Sequence, residues 1–172
     1  LSLKESLSNI AGGIVILLTK PFSVGNYIEA NGYEGTVVVI SLFATILHTA
    51  DNRNVVLPNG ALANSNIVNF SANDTRRVDM SVGVAYGTDL KKARAIIEGI
   101  LDADEKVLKD PSYIVAVDSL DDSAITILVR PWVKAEDYWD VKWRTMELLN
   151  NRLTEAGIEI PFPQMSVHIQ KD

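Results

Sequence analysis

Leu7, Ile10, Ile14 and Leu17 recur at steps of three or four, which predicts an amphipathic helix with one apolar stripe. Ser2-Leu3-Lys4-Glu5 has the spacing of a capping box, in which hydroxyl and carboxylate satisfy orphan amides at a helix start. Ser8, Ala11, Gly12 and Val15 lie off the stripe and are mostly small, and small residues let helices approach closely. Pro21 disfavours helical geometry in the residue before it, so the helix ends by Lys20. The period then changes. Residues 27–30 and 35–40 read as strands joined across Asn31-Gly32, a dipeptide that tolerates the positive φ of a tight hairpin. Strands over 43–49 and 53–57 turn at Ala50-Asp51-Asn52, Pro58-Asn59-Gly60 closes the second, and 67–70 is a last short strand. Short strands with turns between them predict a small barrel or sandwich.

Past a polar stretch at 71–75 the pattern alters again. A strand over 78–85 precedes a helix over 89–103, with Leu90, Ala93, Ile97 and Ile100 on one face and Thr88 or Asp89 as its cap. Strands over 113–119 and 124–132 flank an Asp121-Asp122 turn. A second long helix over 136–156 is expected to carry Trp139, Trp143, Met146, Leu149 and Leu153 inward, with Gly157 as its C-cap. A final strand covers 165–170. The order β-α-β-β-α-β is that of the ferredoxin-like unit. Ile160-Pro161-Phe162-Pro163 sets the last strand apart, so it can leave the domain and pair elsewhere.

Composition narrows the chemistry. The 172 residues are 47% apolar, enough for a core in one ordinary domain or two small ones. No cysteine is present, which excludes disulfides, thiolate metal sites and cysteine nucleophiles. The net charge of −6 argues against a phosphate-binding surface, and the only adjacent basic pairs, Arg76-Arg77 and Lys91-Lys92, read as solvated faces. The first residue is not Met and no signal peptide is visible, so the chain reads as a fragment. The apolar run over 10–18 is broken by Gly12-Gly13 and is about half the roughly 20 residues a membrane-spanning helix needs.

Candidate catalytic groups do not converge. His48 and His168 are far apart and lack metal-ligand spacing. Asp121-Asp122 reads as turn chemistry, and Asp102, Asp104 and Glu105 as a helix end without the pattern of a calcium loop. Residues 83–87 lack phosphate-cradling glycine spacing. Trp132, Tyr138, Trp139 and Trp143 could stack on bases, yet helical spacing favours core packing. No catalytic, metal or cofactor site is therefore expected. The residues themselves lead to two small non-catalytic domains behind an unusual small-residue helix.

The wording of the chain adds a resemblance. Ser6-Leu7-Ser8-Asn9-Ile10-Ala11-Gly12-Gly13, Lys20-Pro21-Phe22 and Gly35-Thr36-Val37 resemble the MscS-family passage from the pore-lining helix into the β domain. Thr49-Ala50-Asp51, Leu57-Pro58-Asn59-Gly60, Ile67-Val68-Asn69-Phe70-Ser71 and Arg76-Arg77 continue it in order, as do Val82-Gly83-Val84-Ala85-Tyr86, Leu108-Lys109-Asp110 and Pro161-Phe162-Pro163-Gln164-Met165. Each tag is weak alone; together they cover essentially the whole chain.

This resemblance implies an α+β chain in four parts. Residues 1–18 match the distal half of the pore-lining helix, which lies along the membrane surface, and 19–70 an Sm-like β-barrel domain. Residues 71–162 match a ferredoxin-like α/β domain enclosing a cytoplasmic vestibule, and 163–172 a strand for an intersubunit parallel barrel carrying Met165, Val167 and Ile169. It also implies a homoheptamer in the bacterial inner membrane that opens under tension and releases ions and small osmolytes on hypo-osmotic shock. Partners would be lipid, through the N-terminal helix and upstream helices, and permeating solutes, with neither cofactor nor nucleic acid and no enzymatic activity. Positions matching Asn9 and Gly60 pack the half-helix on the β domain and affect desensitisation; Ala11, Gly12 and Gly13 serve helix packing. Glu5 stands at the helix bend where many relatives carry glycine, and should stiffen it. Two expectations compete with it: a small hydrolase on the ferredoxin-like half, for which no arginine–asparagine phosphate cradle is identified, and an RNA-binding module built on the same two folds. The net acidity and the missing aromatic–basic strand motif count against that one.

Overall fold

The computed structural model describes residues 2–170, which divide into two compact units meeting at Asp74 and Thr75. The first begins with α1 (Leu3–Thr19). Glu5 N donates to Ser2 Oγ at 3.3 Å and Ser2 N donates to the Glu5 carboxylate at 3.0 Å, a complete capping box. Lys20 ends the helix in a left-handed conformation, its N–H donating to Ile16 O. The face α1 buries is Asn9, Gly12, Gly13 and Ile16, not its apolar stripe: Leu3, Leu7, Ile14 and Leu18 are exposed, Leu18 by 78%.

The strands β1 (Tyr27–Ala30), β2 (Tyr33–Ile40), β3 (Ala44–His48), β4 (Asn54–Pro58) and β5 (Ile67–Asn69) form one antiparallel sheet in the order β4-β3-β2-β1-β5. A register shift between Val37 and Val39 puts a bulge in β2. The expected small barrel does not close within the chain, because β4 pairs only with β3 and β5 only with β1, leaving both as edges. Pro58-Asn59-Gly60 does more than end β4: it opens a short helix, α2 (Asn59–Ala63), which carries the chain to β5. Phe22, Ile28, Val37, Leu47, Leu57 and Leu62 fill the core with Ile16 of α1.

In the second unit, β6 (Thr75–Arg77) is followed by β7 (Met80–Val84), α3 (Leu90–Ala103), β8 (Ile114–Leu120), β9 (Ile125–Arg130), β10 (Trp132–Lys134) and α4 (Tyr138–Glu155). Asp89 caps α3, accepting from Lys92 N at 3.1 Å. The sheet β7-β9-β8 is antiparallel throughout, as the first five members of a ferredoxin-like unit require. The expected strand over 124–132 is interrupted at Pro131, which has no N–H to donate; beyond it β10 leaves the sheet to pair with β6.

The inward face of α4 departs from expectation. Val141, Thr145, Leu149 and Leu153, at four-residue steps, are buried, whereas Trp139, Trp143 and Met146 are exposed. A Schellman motif closes α4: Gly157 N donates to Thr154 O and Ile158 N to Leu153 O, with Gly157 at φ 74°. Ile158 is buried, but residues 159–170 form neither helix nor strand within the chain, so the expected strand over 165–170 has no pairing partner there.

Candidate functional site

The most tightly built place in the first unit is the seat of α1. The first N–H groups of a helix lack internal partners, and in α2 one of them is satisfied from outside: Gly60 N donates to Asn9 Oδ1 at 3.0 Å in a buried hydrogen bond. Asn59, fully buried, holds the seat from the other side. Its Oδ1 accepts from Thr45 Oγ1 at 2.9 Å, and its Nδ2 donates to Ser41 O at 2.8 Å and Leu42 O at 3.1 Å. The backbone of Asn59 is tied in as well, its N–H donating to Phe43 O at 2.9 Å. One asparagine thus fixes the start of α2 to the β2–β3 turn, and α1 rests on both.

Glycine makes the approach possible. A Cβ at Gly12 would stand 2.3 Å from Asn59 O and 2.8 Å from Gly60 N. At Gly13 it would meet Leu42 O at 2.6 Å and Asn59 Nδ2 at 2.7 Å, and at Gly60 it would meet Ser8 Oγ at 2.5 Å. Real Cβ contacts do not come this close, so α1 is seated backbone against backbone.

Of the residues singled out in the sequence, the structure brings Asn9, Gly12, Gly13 and Gly60 together. Ala11 is exposed, off the buried face, and Glu5 stays in the capping box, about one turn before Asn9. Met165, Val167 and Ile169 are exposed. Asn59 and Thr45 were missed, because Pro-Asn-Gly reads equally well as a turn and a lone strand threonine carries no signal.

Several titratable groups outside the seat are engaged in structure. His48 Nδ1 lies 3.0 Å from Asn54 Oδ1, and Asp121 accepts from Ser119 and Thr126 beside its turn. Lys106 Nζ sits 2.9 Å from Asp137 and 2.6 Å from Asp140, while Arg144 bridges Asp104 at 2.7 Å and Asp140 at 3.1 Å. Hydrogen bonds from Lys106 and then Arg144 hold the Asp140 carboxyl below the usual carboxylate range. Among the described residues no group of three or more His, Asp or Glu side chains could hold a metal ion. No described helix is long and apolar enough to cross a membrane.

Comparisons with known proteins divide the chain at the same place. Residues 5–72 match the family model for the mechanosensitive ion channel β-domain, and 78–160 that for the MscS C-terminal domain. An uncharacterized MscS family protein of Synechocystis is 40% identical over 98% of the chain and 57% of its own length. The small-conductance mechanosensitive channel of Edwardsiella ictaluri is 38% identical over 98% of the chain and 59% of its own. The crystal structure of Helicobacter pylori MscS in the closed state superposes with a TM-score of 0.93 at 36% identity, covering 99% of the chain and 68% of that structure. The chain thus spans under two thirds of the length of these curated relatives.

Proposed function

Since the chain belongs to the MscS family of mechanosensitive ion channels, we propose that it forms the cytoplasmic part of a channel that opens under membrane tension and releases ions and small osmolytes on hypo-osmotic shock. Seven copies would close into a ring in the inner membrane. Their α1 helices would lie along the membrane surface, their second units would enclose a vestibule, and their 165–170 segments would pair as a barrel of strands. The edge strands β4 and β5 and the exposed tail are the features of the single chain that such a ring would complete.

One observation carries the reading: α1 has two working faces. Its small-residue face packs on the start of α2 and the β2–β3 turn through Asn9, Gly12 and Gly13, and its apolar residues Leu3, Leu7, Ile14, Leu17 and Leu18 are left outside, available to lipid. A helix gripped by lipid on one side and a rigid domain on the other can transmit tension to that domain. Tension favours the conformation occupying more membrane area, so gating is a population shift between two packings. Breaking the Asn9–Gly60 bond leaves a buried donor unsatisfied, worth about 1–3 kcal/mol, or roughly 5- to 150-fold in the balance of seated and unseated α1.

Patch recordings of the full-length protein test this. Asn9→Ala should change the rate or extent of desensitisation more than the tension needed for opening. Unaltered desensitisation would remove the role of the seat, and the absence of any stretch-activated current in the parent protein would remove the channel.

A further inference from the structure

Two of the exposed apolar features of the second unit stand at opposite ends of it. The first is a ridge on the N-terminal half of α4. Trp139 and Trp143 stack with ring centroids 5.5 Å apart, and Trp143 is 66% exposed, with Met146 continuing the line one turn on. Lys142 lies 5.2 Å from the Trp139 ring and makes no ion pair among the described residues. The second is the tail, where Phe162 stands 83% exposed between Pro161 and Pro163. Both prolines fix their own φ and hold the residue before them extended, so Ile160 to Pro163 stays straight with little entropy left to lose. Rigid proline-rich segments of this kind dock on aromatic-lined surfaces.

The tail cannot reach the ridge of its own copy. Ala85 N donates to Glu159 O at 2.9 Å, and Gln164 N to Ser123 Oγ at 3.0 Å, which pins 159–164 at the Ile125 end of β9. The ridge follows β10 and so lies at the Arg130 end, about 17 Å away along the strand. A chain that carries two complementary patches at separate places associates head to tail, the arrangement that closes into rings. Charge agrees: Glu159, at the root of the tail, also makes no ion pair among the described residues and can face Lys142.

We infer that Pro161-Phe162-Pro163 of one copy docks on the Trp139–Trp143 ridge of the next. This rests on the ring proposed above and adds to it the contact that orders the second units around the vestibule. Burying one aromatic side chain removes about 150–250 Å² from water, so the contact is a modest one that works through repetition around the ring.

Introduced cysteines make a direct test available, since residues 1–172 carry none of their own. Full-length protein, with any cysteine outside residues 1–172 replaced by serine, is co-expressed as two differently tagged copies, one with Glu147→Cys, a turn along α4 from Trp143, and one with Gln164→Cys, two residues after Phe162, so that both aromatic side chains stay in place, and is oxidised in detergent. A disulfide joining the two tags is expected, forming about tenfold or more faster than with Val24→Cys in place of Glu147→Cys, as docking raises the local thiol concentration. The mass of the same sample is measured by light scattering. Intact oligomers without the disulfide would overturn the docking and leave the ring standing, whereas monomers alone would overturn both.

Discussion

At Gly12 an added Cβ would stand 2.3 Å from the carbonyl oxygen of Asn59 and 2.5 Å from its carbon, backbone atoms that cannot swing aside. Gly99, exposed within α3, would meet nothing within 4 Å. The same substitution should therefore act with opposite sign. Gly12→Ala is expected to destabilise the first unit by about 1–3 kcal/mol through overpacking. Gly99→Ala should stabilise the second by about 0.5–1 kcal/mol, because alanine loses less backbone entropy in a helix. Urea denaturation of both variants checks this, and equal, small effects would mean that α1 is not seated as described. Gly12 belonged to the small-residue set that the local pattern sets off the apolar stripe, whereas Gly13 came only with the family resemblance, and Ala11 and Val15 are exposed. Asn59 was not legible in advance: the carbonyls it holds belong to Ser41 and Leu42, 18 and 17 residues earlier, and no local spacing marks that pairing.

Between elements, a cluster of ion pairs joins the end of α3 to the start of α4, where Lys106 and Arg144 face Asp104, Asp137 and Asp140. Hydrogen bonds from Lys106 and Arg144 depress Asp140, so its contribution is present above the ordinary carboxylate pKa of about 4 and is lost as pH falls through the depressed folded value. Hydrogen bonds to Asp137 and Asp140 raise Lys106, so its contribution is full below the ordinary lysine pKa of about 10.4 and fades only at more alkaline pH. Stability of the second unit should thus be flat through neutrality and fall on acidification below about pH 4. Lys106→Met should make that acid slope shallower, which denaturation at pH 3 and pH 6 measures; an unchanged slope would show the tie to be idle. The order of elements was readable because strand and helix periods differ. The phase of α4 was not. Three large side chains at helical spacing suggested a core face, yet the buried position between Val141 and Leu149 belongs to Thr145, a residue that gives no hydrophobic signal. Closure of the sheet was equally hidden, since short alternating strands look the same whether or not their edges meet.

Taken whole, the chain is acidic, and unevenly so. From Thr75 onward thirteen Lys and Arg stand against seventeen Asp and Glu, a net −4 of the total −6. Sequence composition gave this directly, but its consequence depends on assembly, because a ring of copies sums the field over the space it encloses. In the proposed vestibule, that field concentrates cations and depletes anions before either reaches the pore. Salt decides how far the effect extends: the screening length is about 30 Å at 0.01 M and about 3 Å at 1 M, so only dilute solutions let the walls act across a wide cavity. Reversal potentials of the full-length channel in asymmetric KCl should accordingly show a cation preference that strengthens as both solutions are diluted and fades towards 1 M. A preference set by a narrow pore would instead persist at high salt, and a clear anion preference in dilute solution would mean that the charge of the second unit does not face the permeation path.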